Sequence, residues 1–265
     1  MTPSARDSTT PPSPVEVVLS DHVATVELRR PPANYFDEHL IGTLVHTLGE
    51  LDEDPACRAV VLCSQGKHFC AGADFGSGGF ADDRATTARR LYRLAAGLFE
   101  TRTPIIAAVQ GAAVGGGLGL ACAADFRVAD AQARFVANFS LLGFHHGFGL
   151  SVTLPALLGT QHAADLLYRG GTLRGERAVE VGLADRLCAP GEQRLEALRW
   201  AREIAAAAPL AVASIRETLR RPLAERVHAA LERELAEQSR LWQTDDSAEG
   251  IAAASERRRP AFTGR

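Results

Sequence analysis

Cysteine is scarce in this sequence, and its five copies are scattered along the 265 residues. They form no CxxC pair and no spacing typical of a metal site, so the pattern argues against a zinc-stapled domain and gives no reason to expect a bound metal. An odd, dispersed set of cysteines in apolar surroundings favours reduced thiols and a cytoplasmic protein over a disulfide framework. The five positions are Cys57, Cys63, Cys70, Cys122 and Cys188.

The chain also lacks a surplus of charge of either sign. Its formal net charge is −3, which gives no electrostatic basis for binding nucleic acid or an anionic membrane. Residues 1–14 contain no apolar segment typical of a signal peptide, and they are predicted to form a polar, disordered tail. Residues 105–124 are apolar enough to resemble a membrane span, but their five glycines favour a buried strand, turn and helix instead.

Apolar strand patterns alternate with helical patterns through most of the chain. A hairpin is predicted at residues 15–28, and Asp37 is placed to cap a helix over residues 38–51. Buried strands are predicted at "AVVLC" and "PIIAAVQ", with a helix over residues 82–100 between them. Such alternation indicates an α/β fold with a sheet covered on its faces. From about residue 196 the helical periodicity is nearly continuous.

The segment "AVGGGLGLACAAD", which begins at Ala113, has three glycines that run directly into a small, apolar helix. The N-terminus of a helix presents unpaired N–H groups, and glycine lets a ligand approach the backbone closely. The segment therefore predicts a site for a negatively charged group. The alternative is that the glycines only allow tight packing of a helix on a strand.

Five pieces of the chain, in order and at the expected spacing, resemble the crotonase (enoyl-CoA hydratase/isomerase) superfamily. They are "RRPPANYFD", "AVVLCSQGKHFCAGADF", "TPIIAAVQGAAVGGGLGLACAADFRVA", "LLGFHHGFGLSVTLPALLG" and "EGIAAASERRRPAFTGR". The resemblance implies a ββα-spiral core over residues 15–195 that binds an acyl-CoA or acyl-carrier thioester. It implies a helical region over residues 196–265 for active-site cover and for assembly as a trimer or a hexamer of two trimers. It implies no cofactor other than the coenzyme A of the substrate.

The resemblance also implies an oxyanion hole made of two backbone N–H groups, those of Ala73 and Gly116. Ala71 and Gly115, beside them, are expected to contact the substrate. Fixed amide donors stabilise the charge that develops on a thioester oxygen when an enolate forms. Asp74 follows directly, and its side chain is expected to contact the substrate or to order the loop.

Both glutamates that hydratases of this family use to handle water are absent, so the chain resembles an atypical member. Gly119 stands at the position of the first, and Phe139 stands at that of the second. A positioned general acid or base contributes about 10²–10⁴ to the rate, so efficient hydration of a simple enoyl-CoA is not expected.

Three residues are candidates to replace the missing acid–base groups. His145 and His146 adjoin the expected pocket, and an imidazole suits proton transfer near neutral pH; the alternative is that they only order a turn. Tyr92 aligns with an active-site histidine of an aryl-dehalogenating relative, although packing of its ring is the favoured interpretation. The nucleophilic aspartate of that relative corresponds to Gly147, so dehalogenation is not supported.

Further residues are assigned to substrate contacts. Arg30, Lys67 and His68 are expected near the coenzyme A phosphates, with a solvated surface role as the alternative. Phe139 and Phe144 are expected to line an apolar acyl pocket, and "FGSGGF" (residues 75–80) resembles a mobile lid.

Several functions remain open at the level of the sequence. An enolate-forming enzyme with replaced acid–base residues would perform isomerisation, C–C cleavage or hydration. A decarboxylase would need the oxyanion hole but no strong base. A catalytically silent acyl-CoA-binding paralogue would keep the pocket alone.

Overall fold

The computed structural model describes residues 13–73 and 84–265 of the chain. Their architecture is mixed α/β, with a largely parallel sheet and helices that dominate the C-terminal third, so the predicted fold class is confirmed. The strands are β1 Val15–Ser20, β2 Val23–Leu28, β3 Ala59–Ser64, β4 Ile105–Val109, β5 Ala112–Val114, β6 Phe126–Asp130, β7 Arg134–Val136, β8 Thr172–Arg174 and β9 Arg186–Cys188. The helices are α1 Glu38–Glu53, α2 Arg84–Ala96, α3 Gly116–Ala123, α4 Leu150–Tyr168, α5 Gly175–Glu180, α6 Gln193–Ala205, α7 Pro209–Leu241 and α8 Asp245–Ser255.

The larger sheet has six strands in the order β1-β2-β3-β4-β6-β9. The predicted hairpin is present: β1 pairs antiparallel with β2, with Val17 opposite Val26, and the remaining pairs are parallel. Strands β3 and β4 are buried along their whole length, as expected for central strands covered on both faces.

A second sheet of three short strands, in the order β5-β7-β8, lies beside the glycine run. Strand β5 leads directly through Gly115 into helix α3. The sequence interpretation assigned no strand to residues 112–114 or 172–174. Strands of three residues carry too few side chains for a period-2 pattern to be visible.

The predicted cap of helix α1 is confirmed, because the Asp37 carboxylate accepts a hydrogen bond from the Leu40 N–H at 2.8 Å. The helix expected over residues 82–100 is described from Arg84 as α2, which is followed by a 3₁₀ turn at Gly97–Phe99. The beginning of that prediction, like residues 1–12 of the expected tail and the "FGSGGF" segment, lies outside the described residues.

Helix α6 begins before the predicted boundary at residues 195/196 and packs on the sheet. Its alanines at helical spacing, Ala197, Ala201 and Ala205, are buried together with Val61 and Ile106 of the sheet. Helix α6 is therefore part of the core, and the helices that follow it are α7 and α8. No helix in the described part of the chain is long and apolar enough to cross a membrane.

Helix α7 presents exposed apolar side chains at Leu210, Ile215 and Leu219. A row of this kind on one element suits a contact with another subunit. Assembly as a trimer or hexamer stays a prediction.

Candidate active site

A cavity of about 600 Å³ lies where the second sheet, helix α3 and the C-terminal helices meet. Its lining is mainly apolar and aromatic, with exposed backbone from the two glycine-containing loops. The described lining residues are Tyr35, Phe36, Ala71, Gly72, Ala73, Ala88, Leu91, Tyr92, Val114, Gly115, Gly116, Asn138, Phe139, Leu142, Phe144, Gly147, Phe148, Gln238, Trp242, Ile251, Ala252, Ala254 and Ser255.

Backbone hydrogen bonds join the two loops that carry the predicted oxyanion residues. Cys70 donates to the Ala112 carbonyl at 3.1 Å, and Val114 donates back to the Cys70 carbonyl at 2.9 Å. This ladder brings Gly72 beside the start of helix α3: a Cβ on Gly72 would lie 4.0 Å from the Gly116 nitrogen.

Both predicted donors are available at the cavity wall. Ala73 forms a parallel bridge with Phe36 in which Phe36 donates to the Gly72 carbonyl at 3.0 Å, so the Ala73 N–H is not used in that pairing. Gly116 is the first residue of α3, whose N–H has no partner within the helix. Among the described residues, neither N–H donates a hydrogen bond to another group. Both amides therefore belong to residues that line one cavity, and neither has a protein partner in the described part of the chain.

Position 116 has no room for a side chain. The ring of Phe36 lies directly over its Cα, so that any Cβ there would collide with the ring. This contact supports the interpretation that glycine permits close packing, and the same glycine also exposes its N–H to the cavity. The two interpretations of the glycine run are therefore compatible.

The position of the first missing glutamate is filled from elsewhere in the chain. A Cβ on Gly119 would lie 2.6 Å from Cβ of Phe148, and the Phe148 ring lies against the helix at this point. Phe148 also packs on Phe36, with ring centroids 5.4 Å apart. An aromatic side chain thus occupies the space that a carboxylate on α3 would need. Gly119 itself is buried and is not among the residues that line the cavity.

Phe139, at the position of the second missing glutamate, and Phe144 form the apolar wall that the sequence predicted. Their rings meet edge to face at 6.2 Å between centroids, and Phe144 meets Trp242 of the C-terminal region at 6.0 Å. Helix α8 completes this wall with Ile251. The C-terminal region therefore covers the cavity within one chain.

Tyr92 lines the cavity through its ring, and its hydroxyl is held by protein groups. The hydroxyl donates to Gln238 Oε1 at 2.7 Å, and the backbone of Phe148 also hydrogen-bonds to it. Burial, with the nearby Glu234 carboxylate, raises the pKa of Tyr92 well above its usual value. Its position fits a packed, neutral phenol rather than a proton carrier. The hydroxyl also occupies the space that a side chain at Gly147 would need.

His145 and His146 do not line the cavity. Their rings stack on each other at 4.1 Å, and His146 contacts the ring of Phe139 at 6.3 Å between centroids. The Nε2 atom of His146 is 2.8 Å from the Ser151 hydroxyl, while Nδ1 of His145 is 2.7 Å from the His146 carbonyl. Burial, reinforced by His145, lowers the pKa of His146 to about 4. This placement corresponds to the alternative in which the pair orders the turn.

Behind this turn lies a buried carboxylate that the sequence interpretation missed. Glu234 of α7 is fully buried, and its two oxygens accept hydrogen bonds from Gly149 and Ser151 at 2.9 Å each. It thus caps the start of helix α4, where a negative charge is favoured by the helix dipole. Burial raises the pKa of Glu234. The sequence did not single out Glu234, because α7 contains many acidic and basic residues and nothing in its pattern marks this one as buried.

The basic residues assigned to coenzyme A do not line the cavity, but the Arg30 guanidinium donates to the carbonyl of Tyr35, which does. Asn34, which the sequence interpretation also missed, is buried and donates to the Gln65 and His68 carbonyls at 2.7 Å each. It thereby ties the loop that carries Arg30 to the loop that carries Lys67. Lys67 is exposed, whereas Arg30 forms an ion pair with Asp37. Their contact with coenzyme A stays a prediction, and Asp74 lies outside the described residues.

The titratable residues of the described lining are two tyrosines, Tyr35 and Tyr92. No Asp, Glu, His, Lys or Cys of residues 13–73 and 84–265 lines the cavity. Within the same residues, no group of three such side chains is arranged to hold a metal ion. The described lining therefore offers hydrogen bonding from backbone amides and from neutral polar side chains, in an enclosure that is mainly apolar.

The fold is that of a crotonase-type protein, and comparison with known proteins agrees. The family described as enoyl-CoA hydratase/isomerase matches residues 19–265. The (E)-benzylidenesuccinyl-CoA hydratase of Thauera aromatica is 33% identical over 258 residues, which cover 95% of this chain and 99% of the relative. The short-chain-enoyl-CoA hydratase of Clostridium acetobutylicum is 29% identical over 243 residues, which cover 89% and 92%.

Solved structures give the same result. An enoyl-CoA hydratase/isomerase from Pseudoalteromonas atlantica has a TM-score of 0.85 and 29% identity, covering 94% of this chain and 100% of that one. An enoyl-CoA hydratase from Mycobacterium avium subsp. paratuberculosis has a TM-score of 0.84 and 26% identity, covering 96% and 100%. The chain belongs to the enoyl-CoA hydratase/isomerase family of the crotonase superfamily.

Proposed function

We propose that this protein is an enzyme that binds an acyl-CoA thioester and stabilises its enolate between the N–H groups of Ala73 and Gly116. The observation that carries the proposal is that both amides are unpaired among the described residues and line the same apolar cavity. Loss of one such donor costs about 10²–10³ in rate, because the enolate oxygen loses a fixed dipole in surroundings of low dielectric constant. The names of the relatives support thioester chemistry of this class.

The reaction in this proposal differs from simple hydration. Neither hydratase glutamate is present, and the Phe148 ring fills the space beside Gly119. Each absent acid–base group lowers the expected rate of water addition by about 10²–10⁴. Enolate-based isomerisation or C–C cleavage, with a proton carried by solvent or by a residue outside the described lining, fits the site better.

Decarboxylation is the second candidate, and the absence of acidic and basic side chains from the described lining favours it. In a malonyl-type thioester the bond between Cα and the carboxylate breaks and CO₂ leaves. The electron pair moves through Cα to the thioester oxygen, where the two amides receive it. The enolate then takes a proton from water. No base is needed, and an apolar wall destabilises the charged carboxylate relative to the transition state.

The first experiment is proton exchange in D₂O with butyryl-CoA, crotonyl-CoA, 3-hydroxybutyryl-CoA and malonyl-CoA, followed by mass spectrometry. Deuterium uptake at Cα without other change indicates reversible enolate formation. Loss of CO₂ with deuterium in the product indicates decarboxylation. Binding of thioesters with neither uptake nor conversion would contradict an enzymatic role and favour a silent acyl-CoA-binding protein.

A matched pair of variants tests the Gly116 donor directly. Proline is tolerated at the first position of a helix, where it removes the N–H, but the Phe36 ring leaves no room for its Cβ. We therefore compare Phe36→Ala/Gly116→Pro with Phe36→Ala/Gly116→Ala, which keeps the N–H. The proline variant is expected to be slower by about 10²–10³ in the active reaction. Equal rates in the two folded variants would exclude the Gly116 amide from the oxyanion hole.

A further inference from the structure

The carboxamide of Asn138 is a polar group in the wall of the cavity that no other described side chain or backbone group binds. Asn138 follows strand β7, and its backbone carbonyl accepts hydrogen bonds from Leu141 and Leu142 at 3.1 Å each. These bonds fix the residue at the start of the 3₁₀ turn Ser140–Leu142. Its carboxamide lines the cavity, and among the described residues it has no hydrogen-bond partner.

Asn138 is half-buried, and the lining residues nearest to it in the chain are apolar. Phe139, Leu142 and Phe144 line the same wall and offer it no polar side chain. A primary amide carries two donors and an acceptor with two lone pairs. Removing such a group from water without a partner costs about 1–3 kcal/mol. A ligand that displaces water from the cavity therefore incurs this cost unless the ligand itself supplies a hydrogen bond.

The position of Asn138 indicates which part of a ligand it meets. Its Oδ1 atom lies 3.7 Å from the point that a Cβ on Gly115 would occupy. Gly115 directly precedes Gly116, the residue whose N–H faces the thioester oxygen in the proposed function. The carboxamide therefore lies beside the residue that precedes Gly116. With the thioester oxygen bound at Gly116, it would contact the first carbons of the acyl chain rather than the far end.

We propose that Asn138 is a specificity-determining residue that selects acyl thioesters carrying an oxygen substituent on C3. This inference rests on the proposed function, because it uses the oxyanion site to place the acyl chain. A hydroxyl, keto or carboxylate oxygen at C3 would receive a hydrogen bond from the Asn138 NH₂ group, and a hydroxyl would also donate to Oδ1. A neutral amide takes up no proton near neutral pH, so the role is recognition and orientation.

Calorimetric titration at neutral pH tests the assignment with butyryl-CoA, 3-hydroxybutyryl-CoA, acetoacetyl-CoA and malonyl-CoA, which differ at C3. The variants are Asn138→Leu, similar in shape but apolar, and Asn138→Asp, similar in shape but negatively charged. Gln132→Leu is the matched control, because Gln132 is exposed and does not line the cavity. Circular dichroism spectra establish that each variant is folded.

Asn138→Leu is expected to lower the affinity for the C3-oxygenated thioesters that the wild type prefers. The expected loss is about three- to tenfold, which corresponds to one net hydrogen bond. Butyryl-CoA should bind equally or more tightly. Asn138→Asp distinguishes a carboxylate from a hydroxyl at C3. It should weaken the binding of malonyl-CoA, because the two carboxylates repel each other. It should leave the binding of 3-hydroxybutyryl-CoA unchanged, because the hydroxyl can donate to the carboxylate.

Two results would overturn the inference in distinguishable ways. If the wild type binds all four thioesters and Asn138→Leu changes the four affinities by the same factor, Asn138 does not recognise the C3 substituent. The proposed thioester site is then unaffected. If the wild type binds none of the four, the proposed function fails and the assignment of Asn138 fails with it.

Discussion

Phe148 takes the volume beside helix α3 that a side chain at position 119 would need. The residue has a φ of +62°, which is an uncommon conformation for a bulky side chain. In that conformation its ring packs against Gly119, Gly116 and Phe36. The loss of the glutamate and the presence of this ring are therefore one structural change, because either group would exclude the other.

Gly119→Ala is expected to destabilise the fold by about 1–3 kcal/mol through overpacking. The added Cβ would lie 2.6 Å from the Phe148 side chain. Gly49→Ala is the matched control: Gly49 lies in the interior of helix α1, and nothing lies within 4 Å of its added Cβ. The control should stabilise the protein by roughly 0.5–1 kcal/mol through helix propensity. Urea denaturation measures both, and a Gly119→Ala variant as stable as the control would disprove the steric coupling.

The sequence was informative about position 119 but not about its neighbour. A glycine where relatives have a glutamate is visible in the chain, and it predicted the absence of a carboxylate. The ring that fills the space comes from a residue 29 positions later, at the turn before α4. For the same reason the sequence placed the adjacent His145 and His146 beside the pocket, whereas the direction of a turn decides which side chains face the cavity.

At the scale of elements, Gln238 joins three parts of the molecule around the cavity. It lies on α7, accepts from the Tyr92 hydroxyl of α2, and donates to the His145 carbonyl at 2.8 Å. The side chain is almost fully buried. These bonds hold the C-terminal helix against the turn that carries Gly147 and Phe148, so they fix one side of the cavity.

A double-mutant cycle tests this connection. Gln238→Leu should cost about 1–3 kcal/mol, because the Tyr92 hydroxyl and the His145 carbonyl lose a buried partner. Tyr92→Phe should cost less, and the double variant should be more stable than the sum of the single changes predicts, with a coupling of about 0.5–3 kcal/mol. Denaturant titration of the four proteins gives the coupling. Strict additivity would contradict the shared hydrogen bond.

Long elements were predictable and short ones were not. The β1–β2 hairpin, the Asp37 cap and the central strands follow from periodicity and capping, whose signals extend over several residues. Strands β5 and β8 have three residues each, and their pairing is decided by distant partners. The glycine run predicted unpaired N–H groups at the start of α3, but the pairing of Gly116 with Ala73 was reached only through the family resemblance, since it depends on the fold.

At the scale of the whole molecule, the turn behind the cavity links buried titratable groups to global stability. His146, His145 and Glu234 face one another there: Glu234 hydrogen-bonds to Ser151, whose hydroxyl contacts His146. The pKa shifts of Glu234 and His146 change the stability at low pH in opposite directions. The raised pKa of Glu234 favours the folded state at low pH, and the lowered pKa of His146 disfavours it.

His146 is expected to make stability fall between about pH 6.5 and pH 4. Burial lowers its pKa to about 4 in the folded protein, from the ordinary histidine value of 6.5, so the unfolded chain binds the proton first as the pH drops. The contribution is fully present above pH 6.5 and is lost as the pH falls through the folded value, by roughly 3 kcal/mol in all. Replacing His146 by Gln, whose amide can still reach Ser151, should remove this part of the slope.

Urea denaturation of the wild type and the His146→Gln variant at pH 7, 6, 5 and 4.5 measures the difference. Taking the difference between proteins at each pH cancels the contribution of the surface carboxylates. His46→Asn is run alongside as the control for the loss of a histidine at an exposed site, since the His46 side chain is 75% exposed and lies on helix α1, away from this turn. A His146→Gln variant whose stability runs parallel to the wild type across this range would show that His146 titrates as freely in the folded protein as in the unfolded chain.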